Sequence, residues 1–516
     1  MIAKLQAAIS TTERDRRAIR RDGQDRADVQ QLPLVILSVP YVRVARVLLS
    51  SALLQAIGHR ADIVVVGPFA ADPSFRAQFA EEGRTFIACP PTTTLPKPFG
   101  AIYACSEMMR MFGSWFRYRH KGLGYYWETL GTNFGNDGAD RRKPLMRRLL
   151  ERTAGILGAH RRSWRALDAI VGPRLYNQVP ELTRLISRYE RVTLVQASSW
   201  GFQDRMLAWH ARRTKMRTVL LPYTTDQLWV NGHLLCNYDR VCAQGPFEAR
   251  SARTYHGVVP ERLSMPGSLW FRTIDDLIDR GVISSRDRSD GVRHILYVGV
   301  SNQYFPRESE YEALAALFRA GLGGHFGPFK LSYRPYALGD EERREIVRRL
   351  TSIGDIDVQW PEQACAGLDE TTTASIEPEL VQYLERLRAA DIVVMSHTTS
   401  LGWDAAYLGC GVVANFADSS GVLARRRTEL RFLPGVGLDC SPGLPVAHSL
   451  ASLIEIVARQ LADPNAARAA GQRIIEEWDA RVPDLGLELC NAILGDAPSI
   501  KSIRSQPDMI DAGIRA

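Results

Sequence analysis

The stretch from residue 390 to residue 415 constrains the fold more than any other part of the sequence. It contains an apolar run (Ile392 to Met395), a short polar turn, a helix-like segment and a second apolar run (Val412 to Ala414). Short apolar runs that alternate with helices are typical of a parallel sheet with helices on both faces. The same alternation recurs on both sides of residue 280, which predicts an α/β fold throughout.

A polar segment at residues 281–292 separates two such α/β regions, and a chain of 516 residues is long enough for two hydrophobic cores. The sequence therefore predicts two Rossmann-like domains that face each other across a cleft. Ligands of such sheets bind beyond the carboxyl ends of the strands. The predicted divisions are a disordered tail at 1–31, an N-terminal domain at 32–280 with a basic helical insertion at about 99–167, a C-terminal domain at 293–495 and a tail at 496–516.

The composition excludes several classes of protein. A net charge of +8 suits phosphorylated ligands or anionic lipid, but no zinc-finger, helix-turn-helix or RNA-binding signature is present, so nucleic acid is not an expected partner. No apolar run reaches the roughly 18 residues of a spanning helix, and residues 1–31 lack the apolar core of a signal peptide. A cytoplasmic location is therefore expected. The eight cysteines occur singly, which predicts buried free thiols.

Polar residues at the start of the helix in the 390–415 stretch form the strongest candidate site. Thr399 and Ser400 stand where backbone N–H groups and the positive end of the helix dipole would attract an anion. Asp404 follows Ser400 by one helical turn and shares its face. Hydroxyl groups for a phosphate and a carboxylate for a ribose diol are what a nucleotide diphosphate requires. The alternative is a simple N-cap on a core helix.

Three further candidate residues follow other predicted strands of the same domain. Gly299 and Ser301 come after the strand that begins at His294, where a small loop would let the backbone approach a phosphate. A plain turn is the alternative. Arg334 ends the next strand, and its planar fork suits a diphosphate, whereas a surface ion pair is the alternative.

Several segments, taken in their order and spacing, carry a family resemblance. They are Ile295–Ser301, Lys330–Tyr336, Thr399–Asp404 and Phe416–Asp418 in the C-terminal half, and Arg240–Gly245 and Met265–Ser268 in the N-terminal half. Together they resemble segments of glycosyltransferases with the two-domain GT-B fold. The resemblance is nearest to the CDP-glycerol glycerophosphotransferase and surface polysaccharide biosynthesis group.

The resemblance implies a transferase of cell-envelope biosynthesis. It would move a sugar or polyol phosphate from a nucleotide-activated donor to a surface glycan or lipid-linked acceptor. In the C-terminal donor domain, the diphosphate would contact Thr399, Ser400 and Arg334, and the ribose would contact Asp404. The N-terminal domain would bind the acceptor, and a C-terminal helix would cross back to it. Neither a metal nor another cofactor is expected.

Two departures from the family pattern bear on activity. Tyr336 stands where relatives usually carry His, and residues 222–225 (Pro-Tyr-Thr-Thr) stand where they often carry a His-Gly pair. Two alternatives to the transferase therefore remain open. One is a nucleotide-sugar 2-epimerase of the same fold, and the other is a catalytically inactive nucleotide-sugar-binding protein.

The acid or base for a transfer has three predicted candidates, His233, Asp226 and His397, with Asp204 as a further carboxylate of the N-terminal domain. Each also has a structural alternative as a helix-start residue, a helix cap or a solvated charge. The carboxylates of the segment Asp355–Asp357 are interpreted as a solvated turn and not as metal ligands.

A basic and aromatic segment, Met108–Lys121, predicts contact with an anionic membrane surface. Its basic and aromatic residues are Arg110, Arg117, Arg119 and Lys121 beside Phe112, Trp115 and Phe116. Such contact would place the protein peripherally on the inner face of the cell membrane. The alternative is a core helix with a basic exposed face.

Overall fold

A computed structural model gives the structure of the protein. It describes residues 32–49, 51–80, 84–89, 99–121, 132–134, 140–142, 145–176, 179–199, 201–224, 227–230, 232–283, 291–300, 305–336, 339–360, 376–396, 399–417 and 444–495. The predicted tails at 1–31 and 496–516 lie outside these ranges.

The described strands follow the predicted apolar runs closely. In chain order they are β1 (Leu34–Ser38), β2 (Asp62–Gly67), β3 (Arg84–Ala88), β4 (Thr132–Phe134), β5 (Asp140–Arg142), β6 (Val192–Gln196), β7 (Arg217–Leu220), β8 (Arg240–Cys242), β9 (Leu263–Ser264), β10 (Arg293–Val298), β11 (Phe329–Arg334), β12 (Asp357–Val358), β13 (Ile392–Ser396), β14 (Gly411–Asn415) and β15 (Val446–Ala447).

Helices separate most of these strands. They are α1 (Val42–Leu48), α2 (Ser51–Ile57), α3 (Pro73–Phe79), α4 (Phe99–Arg117), α5 (Leu145–Gly158), α6 (Arg161–Leu175), α7 (Pro180–Ile186), α8 (Phe202–Thr214), α9 (Gln227–Val230), α10 (Pro246–His256), α11 (Leu269–Asp279), α12 (Arg307–Leu322), α13 (Asp340–Ile353), α14 (Ile376–Ala389), α15 (Ser400–Tyr407), α16 (Leu450–Ala462), α17 (Pro464–Trp478) and α18 (Leu485–Leu494). Short 3-10 turns lie at Pro68–Ala71, Arg119–Lys121 and Pro260–Arg262.

The two large sheets confirm the predicted fold class of two α/β domains. The first has the order β3-β2-β1-β6-β7-β8-β9 and the second β12-β11-β10-β13-β14-β15, and their strands pair in parallel throughout. Central strands such as β1 and β13 are buried along their whole length. Parallel strands covered on both faces require such continuous apolar runs, which is why the sequence reveals them clearly.

The predicted return of the last helix to the N-terminal half is also confirmed. Leu489 and Ile493 of α18 are fully buried in the core that β1 and β2 form with their covering helices. The hydroxyl of Thr193 on β6 donates a hydrogen bond to the carbonyl of Ile493, with 3.1 Å between the oxygens. The chain therefore begins and ends its described part in the same α/β unit.

Helix α11 contacts the cores of both halves. Leu269 at its start is buried in the first core, while Ile274 and Leu277 are buried in a core of the second sheet. The helix precedes the predicted linker at 281–292, of which residues 284–290 are not described. The predicted domain boundaries remain predictions. Helix α11, which precedes the predicted linker, contacts the cores of both sheets.

Two local features differ from the sequence expectations. The apolar pattern from Val42 to Ile57 predicts a single helix, whereas the structure has two helices there, α1 and α2. The region expected to be helical from 99 to 167 contains the antiparallel hairpin β4–β5. Residues 135–139 (Gly-Asn-Asp-Gly-Ala) carry the turn residues that signal it.

Two composition-based expectations concern cysteines and membranes. Five of the six described cysteines are buried free thiols, as predicted, and Cys105 is exposed. None of the helices in the described ranges combines the length and the apolarity that crossing a bilayer would require.

Candidate functional site

Three of the predicted site residues come together at the carboxyl ends of three neighbouring strands. In the second sheet, β11, β10 and β13 are consecutive, and the register aligns Val298 with both Arg334 and Met395. Arg334 ends β11, Gly299 follows β10, and Thr399 follows β13. Because these strands are parallel and adjacent, three residues that are far apart in the sequence lie at the same edge of the sheet.

The start of helix α15 has an N-cap, which is the alternative interpretation of Thr399. The Thr399 side chain accepts a hydrogen bond from the backbone N–H of Leu401, with 3.2 Å between the atoms. Thr399 is half-buried and Ser400 is exposed. The hydroxyl of Ser400 is thus available at a helix N-terminus, where the dipole favours an anion. His397 and Thr398 lie outside the described residues.

Asp404 is the most connected residue of this edge. One carboxylate oxygen accepts a hydrogen bond from the indole N–H of Trp270 and the other accepts one from the hydroxyl of Tyr383, both at 2.7 Å. The side chain is almost enclosed, with 8% of its surface exposed. Burial raises the pKa of Asp404 to about 6, although the two hydrogen bonds act in the opposite direction. Each carboxylate oxygen retains room for a second donor.

Arg334 is linked to Asp404 through Tyr383. Its guanidinium carbon lies 5.3 Å from the centre of the Tyr383 ring, a distance at which a cation is attracted to the ring face. The Tyr383 hydroxyl in turn donates to Asp404. We call Arg334, Tyr383, Thr399, Ser400, Asp404 and Trp270 the β11–α15 cluster. It combines a fixed cation, a helix N-terminus and a carboxylate along one edge.

The sequence did not reveal two members of the cluster. Trp270 belongs to α11 and Tyr383 to α14, and they are 134 and 21 residues from Asp404 in the chain. A second contact joins α11 to α15, because the ring of Phe271 stacks on that of Tyr407 with 4.2 Å between the ring centres and 5° between the ring planes. Helix α11 is therefore attached to α15 at two residues, Asp404 and Tyr407.

Glycine is required at position 299 because the side chains of Glu310 and Tyr333 lie directly against it. A β-carbon at this position would stand 2.7 Å from a carboxylate oxygen of Glu310 and 2.9 Å from the hydroxyl of Tyr333. Both distances are shorter than a carbon can approach these oxygens. The predicted role of Gly299 as a small residue in the loop is therefore accounted for by packing alone. Its role in phosphate binding remains a prediction, and Ser301 lies outside the described residues.

A buried ionic network supports that loop, and the sequence analysis missed it. Arg307 donates to Glu310 and to the hydroxyl of Tyr333, both at 2.9 Å. Glu310 also accepts a hydrogen bond from the backbone N–H of Val300 at 2.9 Å. Because Arg307 and Glu310 are three residues apart on α12, their spacing was the available signal. The network fixes the backbone that leaves β10.

Tyr336, which replaces the family histidine, has an exposed side chain. Its carbonyl accepts a hydrogen bond from Arg307 at 2.9 Å, so the backbone here is tied to the network under the β10 loop. The residue is two positions beyond Arg334 and lies on the same edge of the sheet. A phenol at this place can donate a hydrogen bond, but it has no imidazole to carry a proton near neutral pH.

The corresponding edge of the first sheet contains a second buried aspartate, Asp204. Its carboxylate accepts hydrogen bonds from the hydroxyl of Ser38 at 2.7 Å, from the side-chain amide of Gln196 at 3.1 Å and from the hydroxyl of Ser198. Burial raises the pKa of Asp204 to about 7. The residue has no exposed surface. In this conformation it holds the ends of β1 and β6 together and does not meet solvent.

His233, a predicted acid or base, is enclosed in the N-terminal half. It has no exposed surface, and neither ring nitrogen has a hydrogen-bond partner within the described structure. Burial, together with nearby cations of which Arg161 contributes most, lowers the pKa of His233 to about 2. Such an imidazole is neutral and weakly basic. This placement lends no support to the catalytic role, which stays a prediction, and Asp226 lies outside the described residues.

The basic segment Met108–Lys121 differs from its expected exposure at one important residue. Arg110 is fully buried, and its guanidinium is 2.5 Å from Glu107 and 2.6 Å from the carbonyl of His233. Phe112 is buried as well. The expectation that Arg110 meets lipid is therefore wrong, because the carboxylate of Glu107, three residues earlier on α4, neutralises it in the core.

The carboxylates of the segment Asp355–Asp357 are solvated, as the sequence predicts, but Asp357 begins strand β12 and does not belong to a turn. Asp357 is exposed and lies 3.3 Å from the ammonium group of Lys330. Among the described residues, no group of three or more His, Cys, Asp or Glu side chains has the arrangement of a metal site.

No family model and no curated protein matches this chain. Solved structures that it resembles include a glycosyltransferase from Rickettsia africae ESF-5 (8% identity, 90% of this chain and 100% of that chain, TM-score 0.44). Others are a UDP-GlcNAc 2-epimerase from Neisseria meningitidis bound to UDP-GlcNAc (9%, 90% and 97%, 0.44) and UGT89C1 from Arabidopsis thaliana complexed with quercetin (13%, 90% and 99%, 0.43).

The chain is thus similar in structure to glycosyltransferases and to nucleotide-sugar 2-epimerases. At these identities and TM-scores the likeness carries no argument about the reaction, and the fold class rests on the observed strand orders. The nearer resemblance to the CDP-glycerol group stays a prediction.

Proposed function

We propose that this protein is a transferase that moves a sugar or polyol phosphate from a nucleotide-activated donor to a surface glycan or a lipid-linked acceptor. The observation that carries the proposal is the β11–α15 cluster. It offers a cation at Arg334, a helix N-terminus at Ser400 and a buried carboxylate at Asp404 along one sheet edge. These three groups match the diphosphate and ribose of a nucleotide donor.

A sugar transfer would release the nucleoside diphosphate and a polyol phosphate transfer the nucleoside monophosphate, so in either case the departing phosphate oxygens would gain negative charge. The guanidinium of Arg334 and the N–H groups at the start of α15 are fixed before the reaction, so stabilising that charge requires little reorganisation. In this proposal the cation and the helix dipole do this without a metal. The carboxylate of Asp404 would accept hydrogen bonds from the ribose hydroxyl groups and orient the donor.

An acceptor hydroxyl must lose its proton as it attacks. Asp226 and His397 are the predicted groups that follow strand ends, and His233 would serve only if its enclosure opened, since its pKa is lowered to about 2. A base works best with a pKa near the operating pH. We therefore expect the variant Asp226→Asn or His397→Ala to lose transfer while His233→Ala chiefly alters folding.

The reaction is tested with radiolabelled nucleotide sugars and labelled CDP-glycerol, each with and without isolated cell-envelope acceptors. Label that appears in polymer or lipid only when acceptor is present supports the proposal. Conversion of the nucleotide sugar without acceptor would show the 2-epimerase. Retention of unchanged label by the protein would show the inactive binding protein.

The donor base can be found first by a thermal-shift screen of CDP, CMP, UDP, GDP and dTDP. A ligand that binds only the folded state raises the free energy of unfolding of the protein. This increase grows with the logarithm of the ratio of ligand concentration to Kd. The shift should disappear in Arg334→Ala and persist in Arg348→Ala. Arg348 is the matched control because its guanidinium pairs with Glu345 on the exposed face of α13.

A further inference from the structure

Helix α5 turns an apolar face toward solvent. Leu149, Leu150, Ile156 and Leu157 each expose between 54% and 59% of their surface, and Ile170 on the following helix α6 exposes 55%. These five side chains are called the α5–α6 surface below. They account for much of the exposed large apolar side chains in the described ranges, and exposed apolar residues gathered on one face mark an interaction site.

The spacing shows that this face is a continuous stripe. About a third of the circumference of α5 carries residues 149, 150, 153, 156 and 157. They share one face because positions that are three or four residues apart lie above one another on an α-helix. The opposite face carries Ala154 and Gly158. An amphipathic helix normally buries its larger apolar residues, so the outward position of the leucines is unusual.

Close packing on α4 fixes this orientation. Gly158 is pressed against α4 so tightly that a β-carbon there would collide with the carbonyl of Met109. On the other side of the contact, a β-carbon at Gly113 would collide with Gly158. The small face of α5 is the only one that fits this gap. Rotation of the helix to bury its leucines would therefore break the packing.

The surroundings of the stripe are strongly basic. Residues 141–174 contain ten Arg and Lys but only two acidic residues, Glu151 and Asp168. Both carboxylates are buried, with 4% and 1% exposed. The charges that the described residues of α5 and α6 present to solvent are consequently positive, and Arg152 and Arg162 are among them.

We propose that the α5–α6 surface seats the protein on a bilayer rich in anionic lipid. The aliphatic side chains would enter the boundary between headgroups and acyl chains, and the arginines beside them would meet lipid phosphates. A second copy of this chain fits less well, because two such surfaces would bring like charges together. The surface lies on the described part of the insertion, so the docking does not depend on which reaction the protein catalyses.

Sedimentation with vesicles tests this directly. The full chain should sediment with vesicles that contain 30% phosphatidylglycerol and remain in solution with pure phosphatidylcholine. Raising the salt from 0.05 M to 0.5 M should weaken binding, since the screening length falls well below its value of about 8 Å at 0.15 M. Absence of binding to the anionic vesicles at low salt would overturn the proposal.

A pair of variants locates the contact. The double substitution Leu150→Glu and Leu157→Glu should weaken partition about tenfold or more. The matched control places the same two charges in the other half, with Leu322→Glu and Val347→Glu at positions that are 71% and 47% exposed. The control should bind like the wild type. If both double variants bind the vesicles equally well, or lose binding to the same extent, the α5–α6 surface is not the membrane contact.

Hydrogen exchange tests the proposal without any variant, and ultracentrifugation tests the rival occupant. Hydrogen exchange of the wild-type chain should slow in residues 145–175 when anionic vesicles are added, and protection confined to other segments would contradict the proposal. Analytical ultracentrifugation without lipid should give a species whose mass does not change in the Leu150→Glu and Leu157→Glu variant. A dimer that this variant converts to monomer would identify a second copy as the occupant instead.

Discussion

The two halves of the molecule each place a buried aspartate on the helix that follows a central strand, Asp204 after β6 and Asp404 after β13. Burial raises the pKa of both, to about 7 and about 6. Their partners differ. Asp204 is held by Ser38, Gln196 and Ser198, all at strand ends of its own sheet. Asp404 is held by side chains of two helices, and one of these helices comes from before the predicted linker.

This difference distinguishes a carboxylate that is held within its own sheet from the one that our proposal assigns to the donor. Asp204 has no exposed surface, and three side chains at one sheet edge donate to its carboxylate. The side-chain amide of Gln196 also donates to the backbone carbonyl of Asp204. Asp404 retains a small exposed fraction and spare acceptor capacity beside a cation and a helix N-terminus. The same residue type at equivalent places thus stabilises one half and, in our proposal, binds the donor in the other.

The largest expected effect concerns stability at Asp204. Asp204→Ala would remove the acceptor of three buried side chains, Ser38, Gln196 and Ser198. Each buried polar group that loses its partner costs about 1–3 kcal/mol. We expect a loss of about 3 kcal/mol or more in the free energy of unfolding, measured by urea unfolding. Nucleotide affinity of the folded variant should stay the same. A clear loss of affinity without a loss of stability would reverse the assignment.

The next effect concerns binding at Asp404. Asp404→Ala should weaken nucleotide binding by about 1–3 kcal/mol, the range for hydrogen bonds to a charged group. Calorimetric titration with the nucleotide found in the screen gives the value. The fold should remain intact, although Trp270 and Tyr383 lose an acceptor. Unchanged affinity would show that the ribose does not lie at this carboxylate.

A pH dependence should accompany that contact. Only the ionised carboxylate accepts bonds from both ribose hydroxyl groups, and the pKa of Asp404 is raised to about 6. Affinity should therefore be full above pH 7 and fall as the pH drops through 6, by up to about tenfold at pH 5. The nucleotide itself binds protons in this range, so the test is the difference between the wild type and Asp404→Asn. Parallel profiles for the two proteins would contradict the contact.

The smallest effect is expected at Arg334. Arg334→Lys keeps the charge but loses the planar fork, so one of two paired hydrogen bonds is lost. Affinity for the nucleoside diphosphate should fall by about 1 kcal/mol or less, and the monophosphate should be affected less. Competition titrations with both ligands give the two values. Equal losses would move Arg334 away from the distal phosphate.

The sequence predicted the structural features that depend on local patterns of residues. The apolar runs predicted the starts of β10 and β13 to within a residue, and the capping bond of Thr399 agrees with the N-cap alternative. Tertiary partners had no such signal. Nothing near Asp404 in the chain points to Trp270, because only the packing of α11 against α15 brings them together.

One misreading arose where a local pattern has two solutions. The aromatic and basic residues of α4 suggested an exposed membrane helix, but Glu107 pairs with Arg110 in the core. On α5 the leucines are exposed because Gly158 packs against α4 and turns them outward. Which face of an amphipathic helix is buried depends on the fit of its small residues, and periodicity alone does not decide it.

The central claim is that the β11–α15 cluster binds a nucleotide diphosphate, and a crystal structure of the protein with the nucleotide from the thermal-shift screen tests it most directly. The account predicts density for the diphosphate between Arg334 and the start of α15, with the ribose hydroxyl groups on Asp404. A second place able to attract phosphate is the cavity of about 570 Å³ in the N-terminal half that Arg165, Arg212 and Arg217 help to line. Nucleotide bound there, with the β11–α15 cluster empty, would contradict the account.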